Sequence, residues 1–332
     1  MTAPMRGVLP LLAVVSLFTQ TSSTASIRQM LGDRPNMAAH PVVLDPGHPE
    51  RTQVGALTWL GGVRLTSDDP VFGSFSAMLI QGDRFTLLSD YGNLVQFRMG
   101  ADWRPREVSF ADLPGGPGTG WEKRQRDAES MTADPATGQV WVGFEWANAI
   151  WRFDGAFSRA EAHAMPKAMR DWPTGGGPEA MLRRRDGSFL VISEDARPKD
   201  DEHSAARRGL HFAGDPTDKG REPMSFLYVP PAGYDPVDMA ELPDGRVLVL
   251  NRRFSIPDLF TAKLTLIDPR RLRAGQVLRG RELATLAPPL LHDNYEALAV
   301  SQEGADTIIW IASDDNGEIW EQSLLLKFKL TL

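Results

Sequence analysis

A hairpin pattern recurs along most of this chain, and nothing else in the sequence restricts its fold as strongly. A short apolar strand, a Gly-containing turn and a second apolar strand appear at Ser76 to Ser89, Ser130 to Phe144, Ala180 to Ser193, Met239 to Leu250 and Ala297 to Ala312. The turns include Asp186-Gly187 and Asp244-Gly245, dipeptides that favour tight connections between antiparallel strands. Ser76, Glu129, Glu179, Asp238 and Glu296 stand at the starts of the first strands, 50 to 59 residues apart. That period suits the four-stranded blades of a β-propeller carrying some long loops. Helical apolar spacing is hard to find after residue 50.

Five copies leave residues 26–73 and the strand Leu324 to Leu330 over. An N-terminal strand completing a sheet with the C-terminus would protect two exposed edges. The expectation is therefore an all-β, six-bladed propeller, with seven blades as the alternative if the stretch from Lys199 to Tyr228 holds another sheet. Residues 55–332 would form the propeller and 26–54 an N-terminal extension. Pro114 to Gly120 and the charge-dense Arg197 to Arg208 read as loops.

The first 25 residues carry Arg6, an apolar run from Val8 to Phe18 and small polar residues ending at Ala25. This is the layout of a secretory signal peptide, and the run is too short to span a bilayer. A periplasmic or secreted protein is expected. Cys is absent, which removes disulfides and thiol chemistry. The formal net charge of −7 disfavours nucleic acid and anionic membranes as partners. A cationic ligand or a metal fits better; the expected partner is a small anionic or ester substrate, and a monomer is expected.

In a propeller the starts of the innermost strands face the central channel, which gathers Glu129, Glu179, Asp238 and Glu296 around one axis. A second acidic set follows the second strands: Asp90, Glu145, Glu194 with Asp195, and Asp314 with Asp315. Crowded carboxylates survive by holding protons, by pairing with Arg, or by binding a hard cation. Calcium, with six to eight oxygen ligands, suits such a set, and Glu129, Glu179, Asp238, Glu296, Asp90 and Asp314 are its candidate ligands. The plainer alternative is that these acids cap turns or pair with Arg252, Arg253 and Arg124. Arg252 and Arg253 fall where the other blades carry the second acidic set. His292, followed by Asp293, Asn294, Tyr295 and Glu296, is a candidate acid or base, or else a loop histidine bonded to backbone. Trp141, Trp151 and Trp310 read as core, while Trp121 and Trp172 lie in loops where they could stack on a ligand. No Gly-x-Ser-x-Gly elbow, His-Glu-x-x-His or phosphate-cradling loop occurs, and Asp314 to Gly317 lacks EF-hand spacing.

The runs Gly62 to Gly73, Gly233 to Met239, Asn251 to Ser255, Asp293 to Ala299 and Ser313 to Asn316 resemble the phytase-like family of exported bacterial proteins, described as having esterase-like activity of phytase. The resemblance extends over about residues 55 to 330. Gly317 to Gln322, Ser130 and Ala297 depart from the family's pattern. It implies a propeller and a calcium-dependent hydrolase of phosphomonoesters or esters. By that analogy Glu129, Glu179, Asp238 and Glu296 hold calcium, Arg252 or Arg253 binds phosphate, and Glu179, Glu296, Arg252, Arg253 and His292 are the catalytic candidates. Two alternatives stand beside it: a non-catalytic binding propeller, and a lactonase-like propeller hydrolase in which Asn251 and Asn294 would join one central metal.

Overall fold

The computed structural model describes residues 26–199, 202–218, 220 and 222–332, and the leader expected at 1–25 lies outside them. The fold is an all-β propeller of five blades. From inside outwards, blade I is Phe75–Gln81, Arg84–Ser89, Asn93–Met99 and Pro105–Asp112; blade II is Ala128–Ala133, Val140–Phe144, Ala149–Phe153 and Ala160–Ala164. Blade III is Ala180–Arg183, Phe189–Ile192, Arg207–Phe212 and Met224–Val229, and blade IV is Asp235–Glu241, Val247–Ser255, Leu259–Ile267 and Arg281–Leu286. Blade V takes Tyr295–Glu303, Asp306–Ser313 and Leu324–Leu330 from the end of the chain, then Leu57–Thr66 from its beginning.

The expected six blades are thus corrected to five, and the seven-bladed alternative also falls. The leftover N- and C-terminal strands do pair, Leu57 with Leu330 through Arg64 with Leu324. They do so as the outer half of the fifth sheet, to which the last copy brings three strands. The N-terminal strand fills its missing fourth place and Ala38–Pro41 adds beyond it. The stretch from Lys199 to Tyr228, offered as an extra sheet, supplies the outer strands of blade III. Closure is direct, since the innermost strands of blades I, II, III, IV and V pack one against the next and the last against the first.

The core lies between the blades. Successive strand residues face opposite sides of a sheet, and here both sides are covered, so the strands read as continuous apolar runs. Val247 and Val249 pack toward blade III with Leu182 and Leu190, whereas Leu248 and Leu250 pack toward blade V with Ile309 and Ile311. Five such clusters fill the five interfaces between blades. Trp141 and Trp310 belong to them, and so does Trp172, whose loop folds back between blades II and III. Gly187 and Gly245, at φ of 83° and 82°, make the tight turns that the Asp-Gly pairs predicted.

A carboxylate centre at one end of the channel

The innermost strands share one backbone irregularity. In blades I, II, IV and V the pairing with the second strand skips one residue near its start, leaving Ser76, Glu129, Val237 and Glu296 as the extra residues of β-bulges. In blade III the ladder begins at Ala180, and Glu179 stands just before it. A bulge re-aims the side chain it carries. The position thus holds Glu in three blades, Ser in one and Val in one. In blades I, II, III and V the second strand ends near this point and Asp90, Glu145, Glu194 and Asp314 come just after it, whereas in blade IV it runs on to Ser255 and Arg252 takes the equivalent place within it, opposite Asp235.

Asp238 stands one residue beyond the bulge, level with Ala77, Ser130 and Ala297. One step along a strand turns the side chain to the other face. Its Oδ1 accepts from the Met239 N–H at 2.7 Å and its Oδ2 from the Leu298 N–H at 2.6 Å, strapping blade IV to blade V. Burial pushes its pKa well up while those two bonds pull it down.

Around the axis, oxygens of Asp127, Glu129 and Glu145 lie within 4.8 Å of one another, and so do oxygens of Glu145, Glu179 and Glu194. Glu145 belongs to both groups and shares a hydrogen bond with Glu179. Burial is the largest cause raising the pKa of Glu129 and Glu179 well above the carboxylate range, and neighbouring acids add to it. Glu145 is pushed up to about 8 and Asp90 to about 6, again by burial first. Asp314 and Glu296 are raised for the same reason, with each other's charge among the causes for Asp314 and the Arg252 charge opposing the shift of Glu296.

Two cations enter this crowd. Lys123, on the short turn Lys123–Gln125 between blades I and II, pairs with Asp90 at 2.9 Å and with Asp127. Arg252 reaches Glu194 at 2.6 Å, Asn294 Oδ1 at 2.9 Å and Glu296, and Asn294 also donates to Glu296 at 3.0 Å. Arg252 thereby spans blades III and V from the acidic position it replaces in blade IV. The acids still outnumber Lys123 and Arg252, and the buried Oδ1 of Asp90 has no hydrogen-bond partner.

The remaining candidates lie off the centre. Arg253 turns away, its guanidinium 4.9 Å from the Tyr234 ring and 3.6 Å from Asp258. His292 Nδ1 is 3.0 Å from the Phe260 carbonyl oxygen, and the ring lines a separate small pocket. Asn251 donates to Thr265 within blade IV and accepts from the Tyr228 hydroxyl of blade III. Asp315 ties down the Ser74 N–H and the Ser323 hydroxyl. Sequence reasoning missed Asp127 and Lys123. Asp127 could have been found, since it precedes Glu129 by two and extended residues at that spacing share a face. Lys123 comes from an irregular loop that carries no such signal.

No curated protein sequence matches the chain significantly. Among solved structures it resembles the Malassezia sympodialis allergen Mala s 1, at 12% identity and a TM-score of 0.46 over 89% of this chain and 96% of that one. Myxococcus xanthus glutaminyl cyclase gives 8% and 0.43 over 78% and 92%. Kuenenia stuttgartiensis hydrazine synthase gives 11% and 0.36 over 76% of this chain, which spans only 58% of that one. Such distant likenesses carry no chemistry from one chain to another. The family model for phytase-like proteins, described as esterase-like activity of phytase, matches residues 70–317. With most of its propeller covered by that match, the chain belongs to the phytase-like family.

Proposed function

We propose that this propeller is a hydrolase of esters or phosphomonoesters that works with a divalent cation, calcium, at the carboxylate centre. The observation carrying this reading is the pair of three-carboxylate groups joined at Glu145. The donor chemistry fits: these ligands are all carboxylate oxygens, which suit calcium, whereas zinc usually recruits His or Cys. The unpartnered Asp90 Oδ1 and the excess of acids over Lys123 and Arg252 also favour added positive charge. Asp127, Glu129, Glu145, Glu179 and Glu194 would hold the ion. When bound, it would supply positive charge to the oxygens on which negative charge gathers during the reaction.

In the hydrolysis a water oxygen bonds to the acyl carbon or phosphorus, the bond to the alkoxy oxygen breaks, and a water proton ends on the departing oxygen. Glu145 and Glu179, at the centre of the set, would take that proton on a carboxylate oxygen not bound to the ion and return it. Arg252 is a positioning residue that keeps Glu194 and Glu296 fixed beside them. Export, which the leader predicts, would expose the site to the calcium range of about 10⁻⁴–10⁻³ M at which extracellular modules fill. The test is calorimetric titration of chelator-treated protein with calcium, followed by assays on aryl acetates and aryl phosphates with calcium and with chelator. Stoichiometric binding and calcium-dependent turnover are expected; an absence of both defeats the reading.

A further inference from the structure

The loops at the carboxylate end carry unusual apolar exposure. The hairpin joining the second and third strands of blade IV presents Phe254, Ile256 and Leu259, which are 41%, 78% and 44% exposed. Facing it, the loop between the same strands of blade V presents Ile319 and Trp320, at 96% and 54%. Between the loops lies a pocket of about 110 Å³, walled by Phe254, Leu259, Phe260, His292 and Trp320, with Asp293, Glu321 and Gln322 on its polar side. It adjoins the carboxylate centre, because the Phe260 ring lies 5.9 Å from the Arg252 guanidinium and Asp293 precedes the Asn294 that bonds Arg252 and Glu296. The volume is of the order of the roughly 150 Å³ apolar cavity that takes one benzene ring.

Charge decides what this entrance admits. Lys123, Arg252 and Arg253 are already paired with Asp90 and Asp127, with Glu194 and Glu296, and with Asp258. A polyphosphate approaching here would meet Asp293 and Glu321 before any uncommitted guanidinium of that set. An uncharged molecule pays no such repulsion, and an aromatic or branched aliphatic group gains by leaving water against Phe254, Leu259 and Trp320.

We propose that this pocket is the subsite for an aryl or branched-alkyl group, so that the substrates of the carboxylate centre are uncharged apolar carboxylic esters and not polyphosphates. The proposal rests on the hydrolase reading above. Water adds to the acyl carbon, the acyl–oxygen bond breaks, and the products are a carboxylic acid and the aryl or alkyl alcohol, with no other reactant.

The test compares the calcium-loaded protein and Trp320→Ala on p-nitrophenyl butyrate, ethyl acetate and phytate. Trp320 is half exposed, so the variant keeps the fold. We expect turnover of both esters and not of phytate. In the variant, kcat/KM for the aryl ester should fall about tenfold through KM, and for ethyl acetate, which has no aryl group, by clearly less. Faster turnover of phytate than of either ester overturns the proposal, as does ester turnover whose aryl preference Trp320→Ala leaves intact; in both cases the hydrolase reading survives. If nothing is turned over, the hydrolase reading fails, and the pocket is still tested by ligand-observed NMR with 4-phenylbutan-2-one, a ketone that cannot be hydrolysed. Equal binding by wild type and variant, or none by either, then removes the subsite as well.

Discussion

Taking the chelated protein from about pH 5 to about pH 8 should destabilise it, the reverse of what paired surface acids produce. The groups responsible are Asp90, raised from 3.8 to about 6, and Glu145, raised from 4.5 to about 8. A carboxyl with a raised folded-state pKa holds its proton in the native protein after the unfolded chain has lost it. Its contribution is therefore full below the unfolded pKa and disappears as pH rises through the folded one. Between about pH 5 and about pH 8 the proton difference spans about one pH unit for Asp90 and about two and a half for Glu145, so at about 1.4 kcal/mol per unit they lose roughly 1.4 and roughly 3.5 kcal/mol. Neighbouring acids lose their protons as a set, so the two figures bracket the effect and are not summed. His211, lowered by burial, acts in the opposite direction, but it is one half-buried group against a cluster. With about 2 °C of melting temperature per kcal/mol for a chain of this length, the drop should be roughly 3–7 °C. Calcium should reverse the trend, because its ligands must be ionised: at about a hundred times its Kd a bound ion adds about 2.7 kcal/mol. The assay is thermal unfolding across that pH range in chelator and in calcium. A melting temperature that stays flat or rises with pH in chelator refutes this account of the centre.

Three substitutions separate the roles of its parts. Glu145→Gln removes a carboxylate common to both groups, so it should flatten the pH profile in chelator and weaken calcium binding by at least about tenfold, read by calorimetric titration. Arg252→Met strips Glu194 and Glu296 of their shared counter-charge, and denaturant unfolding in chelator should show a loss of about 3–5 kcal/mol at pH 8 that shrinks toward pH 5 as Glu296, whose pKa burial raises, takes up its proton. Asp238→Asn loses an acceptor for either the Met239 or the Leu298 N–H, costing about 1–3 kcal/mol of stability, while calcium affinity measured on the folded protein stays unchanged.

The inner hairpins were legible in the sequence because each is apolar on both faces and bounded by Gly turns. Phe189–Ile192 and Val247–Ser255 could hardly be anything but buried strands. The number of blades was not legible, because it depends on where Leu57–Thr66 docks. That strand is equally apolar whether it opens a sheet of its own or finishes one begun at Tyr295, and only the pairing with Leu324–Leu330 inside blade V decides between them.

The carboxylate centre shows the same boundary at finer scale. Choosing the acidic residue nearest each strand start found Glu129, Glu179 and Glu296, yet in blade IV it selected Asp238, which the bulge leaves one step out of place. The signal that corrects this is apolar: Met78, Met131, Met181 and Met239 each stand two residues after the re-aimed position, and counting back from Met239 reaches Val237. Blade IV therefore gives no carboxylate at the bulge and an arginine where the other blades place an acid, so both of its positions depart from the repeat on one side of the ring. The joined acidic groups lie on blades II and III, while Arg252 and the apolar pocket lie on blades IV and V. A ring built from repeats has thus become asymmetric, with clustered carboxylates on one side and an arginine beside an apolar pocket on the other. The hydrolase proposed above would use that division, holding its ion among the acids of blades II and III and its substrate against the pocket between blades IV and V.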